Sequence, residues 1–200
     1  MNDPIKQIES GMNEAGKAAA QNIKELMESG QGLHVSPWPE KICNYDMKIA
    51  RNGDWYHEGG LIKRQALCKL FSTILQKDED DQFWLVTPAE KGKIEVEDAP
   101  FVAVEMRVEG QGKKQTLSFR SNLDHWVTVD ENHPIRIVVD LETNEPKPYV
   151  LIRDNLEALI VRSVFYDLVE LAEEVERDEQ LKFGVWSSGN FFEIGSLEEG

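Results

Sequence analysis

Leu61-Ile62-Lys63 and Leu151-Ile152-Arg153 are the stretches on which the fold turns. In each, an apolar pair and a cation lead into a segment with helical apolar spacing. The first segment, Arg64–Gln76, sets Leu67, Leu70, Phe71, Ile74 and Leu75 on one face. The second, Asp154–Arg177, repeats Leu156, Ile160, Val164, Leu168 and Leu171 at steps of three and four, with Asp154 as its cap. A short strand pair carrying a tryptophan follows each, Trp84 in one case and Trp186 in the other. The offset is 151 − 61 = 90. This pattern predicts an α+β fold built from duplicated strand-helix-hairpin units, with a seam where a ligand could sit. The spacing makes the second helix longer by about two or three turns.

Outward from these segments, Met47–Arg51 and Trp55–His57 read as strands joined at Asn52-Gly53. Seven further strands begin at Phe83, Ile94 and Phe101 and continue with Gln115–Phe119, Trp126–Val129, Ile135–Val139 and Tyr149–Ile152. Their short links predict mostly antiparallel sheets. Phe183–Trp186 and Phe191–Ile194 form a hairpin around Ser187-Ser188-Gly189-Asn190. At the other end, Ile5, Ile8, Met12, Ala15, Ala19, Ile23 and Leu26 mark an amphipathic helix over 4–28. It reads either as an extension packed on the body or as a pairing helix for a homodimer. The expected division is 1–35, 36–108 and 109–200. The expected core includes Leu70, Phe71, Ile74, Ile160, Val164 and Leu168.

Charge narrows the function. A net charge of −15 opposes binding to nucleic-acid polymers and to anionic membranes. A few local cations can still hold a small anion in an acidic protein. No apolar run reaches the length of a membrane span, and Met1-Asn2-Asp3-Pro4 does not open a secretory signal. The expectation is a cytoplasmic protein in which Cys43 and Cys68, the only cysteines, are reduced and structural. No cofactor or metal is expected. The glycines at 59 and 60 and at 110 and 112 lack phosphate-loop spacing, and His57-Glu58 has no second histidine for zinc. Asp78-Glu79-Asp80-Asp81 lacks the glycine of a calcium loop and reads as a solvated acidic turn.

The candidate ligand-binding residues are Trp55, His57, Arg64, Arg162, Tyr166, Trp186 and Ser187. Trp55 and His57 sit two apart on a strand and share a face. Arg64 opens a helix where the macrodipole does not favour a cation. Arg162, Tyr166 and Glu170 form a polar row at steps of four between apolar flanks. Ser187 follows the indole of Trp186 and could donate a hydrogen bond. Each has a plainer reading as a core-edge, solvated or turn residue.

Several motifs together resemble a bacterial family, domain of unknown function 1285. They are Trp38-Pro39, Gly53-Asp54-Trp55-Tyr56-His57-Glu58-Gly59, Ile62 with Arg64, Leu85-Val86-Thr87-Pro88-Ala89-Glu90-Lys91 and Asp98-Ala99-Pro100-Phe101. His133-Pro134, Val164-Phe165-Tyr166 and Gly184-Val185-Trp186-Ser187-Ser188-Gly189 extend the likeness over residues 36–195. The resemblance implies a duplicated α+β structure whose C-terminal part is superficially pleckstrin-homology-like. It also implies a nucleotide-type ligand between the halves and a role in signal transduction. The leading expectation is therefore a non-catalytic module for a small anionic ligand. Two alternatives stay open: a hydrolase-type enzyme with His57 as base and Glu58 or Glu90 orienting it, and a protein-interaction scaffold.

Overall fold

The computed structural model describes residues 24, 25, 28, 30–141, 143–177 and 180–196. Most of the helix expected over 4–28, and with it the pairing reading, lies outside the described residues. The chain divides into two compact units. The first comprises Met1–Tyr45 and Ile62–Lys93, the second Asp46–Leu61 and Ile94–Gly200.

In the first unit, helix α1 (Gln65–Thr73) is followed by the antiparallel pair β4 (Leu75–Lys77) and β5 (Phe83–Val86). The hairpin turns on Asp78. Its carboxylate accepts the amides of Asp80 and Gln82 at 3.0 and 2.8 Å and the Trp84 indole at 2.7 Å. The acidic run is thus an Asx-type turn whose first residue is structural. Lys91 opens β6 (Lys91–Val96), and its ammonium sits over the rings of Trp38 and Trp84, 5.1 and 5.3 Å from their centroids.

The second unit begins with β1 (Met47–Ile49), β2 (Trp55–His57) and β3 (Gly60–Leu61). The β1–β2 turn forms at Asn52-Gly53, as the sequence predicts. Gly53 has φ +84° and lies against Asn122, so a Cβ there would fall 2.4 Å from the Asn122 amide nitrogen. Asn122 donates to the Gly53 carbonyl at 3.1 Å and accepts from the Val102 amide at 3.1 Å, fastening the turn to β7 (Phe101–Glu109). β1 pairs parallel with the second half of β6, Lys48 opposite Glu95 and Ile49 opposite Val96. The division between the units falls within β6, after Lys93.

The larger sheet of the second unit adds β8 (Thr116–Ser121), β9 (Trp126–Thr128), β10 (Ile135–Val139), β11 (Pro146–Arg153) and β12 (Leu156–Ile160), in the order β10-β11-β12-β7-β8-β9. Helix α2 (Arg162–Glu170) packs on β7, and its Val164 and Leu168 join Phe101, Leu117, Phe119, Leu156 and Ile160 in the core. The chain closes with β13 (Glu173–Arg177), β14 (Gln180–Ser187) and β15 (Asn190–Ser196) as a separate antiparallel sheet. Ser188 and Gly189, at φ +52° and +81°, make its two-residue turn.

The fold is α+β, and each helix is preceded by a strand and followed by an antiparallel hairpin with its tryptophan on the second strand. Several expectations change. Residues 154–177 are not one helix but β12, α2 and β13. Leu156, Ala158 and Ile160 alternate inward on β12 because that strand pairs parallel with β7, Ala158 opposite Phe101. Both helices therefore have nine residues, and their starts are offset by 162 − 65 = 97 rather than 90. Two parallel pairings, β1–β6 and β7–β12, interrupt the expected meander. Leu70, Phe71 and Ile74 are only half-buried, and Cys68, Ser72 and Thr73 are the buried residues of α1.

Candidate functional site

A groove of about 650 Å³ lies within the second unit. Its apolar wall is Pro146 and Pro148 of β11, Leu159 and Ile160 of β12, Val161, and Phe165 of α2. The wall exists because β12 ends at Ile160 and the chain leaves for α2, uncovering the start of β11.

Charge enters from three directions. Arg162 and Tyr166 are one helical turn apart at the start of α2, both exposed. Lys147 projects from β11. Arg51 comes from the Asn52-Gly53 turn, where its backbone amide donates to Glu97 at 2.9 Å. The carboxylates of Asp98 and Glu145 complete the lining. Three cations thus face two carboxylates, one net positive charge in a chain of net −15.

Each cation has an internal partner. Arg162 Nη2 is 3.1 Å from Glu145 Oε1, with both side chains well exposed. Lys147 Nζ is 2.7 Å from Asp140 Oδ2. Arg51 Nε is 3.5 Å from Asp98 Oδ2, a long contact that leaves most of its guanidinium fork open toward solvent. Asp98 itself is nearly buried and accepts the Tyr149 hydroxyl at 2.7 Å. Burial first, and that bond second, hold the Tyr149 phenol well above the usual tyrosine range. Arg136 caps the Tyr149 ring at 4.9 Å and grips Glu157 with two bonds of 2.9 and 2.6 Å. This end of the groove is braced by its own side chains.

A second cleft of about 420 Å³, also in the second unit, has the opposite character. Asp46, Glu95 and Glu97 line it, and Lys48 bridges Glu95 and Glu97 at 3.0 and 2.6 Å. Hydrogen bonds from Lys48 and the Arg51 amide hold Glu97 below the usual glutamate range. That cleft sets three carboxylates against one cation and repels anions.

Of the seven candidate residues, the groove brings together Arg162 and Tyr166. Trp55 is a core residue of β2, 1% exposed. His57, two residues on, is exposed at the strand end, and no carboxylate among the described residues hydrogen-bonds its ring. Arg64 is exposed immediately before α1 and belongs to the first unit. Glu90, one of the two carboxylates considered to orient His57, instead receives Lys41 at 2.5 Å and Tyr45 at 3.2 Å. Those bonds, that of Lys41 first, hold Glu90 below the ordinary range. The Glu90 carboxylate first, and burial second, also raise the Cys43 thiol. Trp186 is nearly buried, flanked by Lys113 and Arg177 at 5.1 and 5.3 Å, and donates to Glu173. Ser187 is fully buried. Its hydroxyl donates to the Val129 carbonyl at 2.7 Å and accepts the Leu117 amide at 2.9 Å, so it clasps the hairpin to β8.

Sequence reasoning passed over Arg51, Asp98, Glu145, Lys147 and Phe165 as site residues. The Asn52-Gly53 turn beside Arg51 and the Pro146-Lys147-Pro148 stretch were the available signals. Among the described residues no cluster of metal-ligating side chains occurs, and no helix is long and apolar enough to cross a membrane.

This architecture defines a two-part, strand-rich α+β protein. Family models match both parts: a domain of unknown function (DUF1285), N-terminal domain, over residues 34–99, and a protein of unknown function (DUF1285), C-terminal domain, over residues 100–194. The chain belongs to the DUF1285 family. A crystal structure of a DUF1285 family protein from Silicibacter pomeroyi DSS-3 is similar, with a TM-score of 0.75 and 44% identity over 88% of this chain and 95% of that one. A second, from Shewanella baltica OS155, shares the fold at a TM-score of 0.50 and 23% identity, over 62% and 91% of the two chains. No curated protein matches.

Proposed function

We propose that the protein is a non-catalytic ligand-binding module. It takes a small anionic, nucleotide-type ligand in the groove between β11, β12 and α2, and occupancy of the groove serves signal transduction. The observation that carries this reading is the gathering of Arg51, Lys147 and Arg162 around one apolar-walled groove of a strongly acidic chain. The arginine forks suit phosphate or carboxylate oxygens. Tyr166 and Phe165 offer ring faces for a flat group. The groove's volume falls in the range of ordinary small-molecule sites.

Isothermal titration with AMP, and separately with inorganic pyrophosphate, tests the proposal. Saturable binding of either that weakens in Arg162→Ala supports it. Binding unchanged in Arg162→Ala and Arg51→Ala moves the ligand elsewhere, and no binding of either probe removes the nucleotide-type reading.

A further inference from the structure

Glu145 stands out within the groove, because it already does what a ligand would do. Its carboxylate Oε1 meets Arg162 Nη2 at 3.1 Å. The side chain is presented just before β11 by hydrogen bonds among Asp140, Thr143, Asn144 and Glu145. Asp140 accepts the Thr143 amide at 3.0 Å, the Asn144 amide donates to the Asp140 carbonyl at 2.8 Å, and the Asp140 amide donates to the Glu145 carbonyl at 2.9 Å. Asn144 takes φ +56°, which closes the turn and sends Glu145 into the start of β11. Lys147 is held back by Asp140 and so does not compete for Glu145.

We infer that Glu145 occupies the anion subsite of the groove, and that binding exchanges its carboxylate for an acidic group of the ligand on Arg162. The inference rests on the proposed ligand-binding reading and adds where the acidic group sits and what it displaces. Both partners of the pair are exposed, so the pair itself contributes little to folding. A carboxylate or phosphate presents two or more oxygens to the fork, where Glu145 uses one contact. The exchange therefore favours the ligand, but Glu145 lowers the apparent affinity of every acidic ligand. A ligand lacking an acidic group would gain nothing by displacing it.

The test is calorimetric titration of AMP and of inorganic pyrophosphate into the full chain and into four variants, Glu145→Gln, Glu109→Gln, Arg162→Ala and the Arg162→Ala/Glu145→Gln pair. Glu145→Gln keeps the shape and removes the competing charge. Its affinity for the bound probe should rise about two- to fivefold, the scale of an exposed ion pair. Glu109→Gln, exposed on β7 and outside the groove lining, makes the same change in net charge and should bind as wild type does. In the Arg162→Ala background, Glu145→Gln should give no gain, because the displaced contact no longer exists. If wild type binds and Glu145→Gln binds no tighter, or if Glu109→Gln gains equally, the exchange is overturned while the ligand-binding reading stands. If neither probe binds any variant, the reading falls and this inference falls with it.

Discussion

Helices α1 and α2 have the same length and the same sequel, yet they bury opposite kinds of residue. α2 buries Val164 and Leu168, one turn apart, and keeps Arg162, Tyr166 and Glu170 exposed. α1 buries Cys68, Ser72 and Thr73 and leaves Leu67, Leu70 and Phe71 half-exposed. The buried hydroxyls are satisfied locally: Ser72 donates to the Lys69 carbonyl at 2.8 Å and Thr73 to the Leu70 carbonyl at 2.7 Å. Neither helix has a side-chain cap or an acidic residue in its first turn. Packing therefore carries both, since no side chain caps either start and only backbone bonds close their C-terminal ends. The same strand-helix-hairpin order supports an apolar anchor in one unit and a small, hydroxyl-lined contact in the other. The polar face freed on α2 is where the groove forms.

The sharpest way to break this contrast is truncation of one large apolar residue in each helix. Leu168→Ala should cost about 2–5 kcal/mol, because that side chain is fully enclosed. Leu70→Ala should cost clearly less. Denaturant unfolding reads both, and equal losses would show that the two helices are anchored alike. Next in size is the effect on ligand. Arg162→Ala should weaken AMP binding by about 1.5–3 kcal/mol, and Arg64→Ala, in the other unit, should leave it unchanged. Loss in both would tie α1 to the site as well. Smaller again is Thr73→Val in α1, which removes a hydroxyl bonded within its own helix. It should shift stability by no more than about 1.5 kcal/mol, and a larger loss would mean the hydroxyl has a further role.

The finest test is one of pH. Burial opposes ionisation of Asp78, but donation from the Gln82 amide, the Trp84 indole and the Asp80 amide outweighs it, and its carboxyl is held below the usual aspartate value. A depressed folded-state pKa contributes stability above the unfolded value, and that contribution fades as pH falls through the folded one. Wild type should therefore exceed Asp78→Asn in urea midpoint near neutral pH, and the gap should narrow below about pH 4. A gap independent of pH would mean that the geometry of the turn, and not its charge, is what the hairpin after α1 needs.

The contrast also explains what could be read in advance. Strands with clean alternation and a turn signal were legible: the Asn52-Gly53 hairpin, β10 and the Ser188-Gly189 hairpin all form where expected. The stretch from Leu156 to Leu171 was not, because its apolar residues satisfy both periods. Leu156, Ala158 and Ile160 fit a strand, and Leu156, Ile160, Val164 and Leu168 fit a helix. The decision comes from β7, more than fifty residues earlier, which supplies the parallel partner. α1 was misjudged for another reason. Its apolar stripe is genuine, but the residues chosen for burial are small and polar, and spacing alone cannot report that choice. Arg162 and Tyr166 were legible because they break an apolar helix with a polar row. Arg51 and Lys147 were not, since a lone cation beside a turn or between two prolines says nothing of which groove it enters.

The pairing of β7 with β12 also sets an order of events as the chain is made. β7 is complete by Glu109, and its neighbour β8 follows at once, but its other edge must wait for Leu156–Ile160. Closing so long an interval is slow compared with making a hairpin. Until it closes, Phe101, Val102 and Ala103 stand on an open, apolar strand edge ready to accept any extended chain. Fragments that stop short of Leu156 should accordingly self-associate during synthesis, whereas chains that reach Ile160 can seal the edge with their own β12.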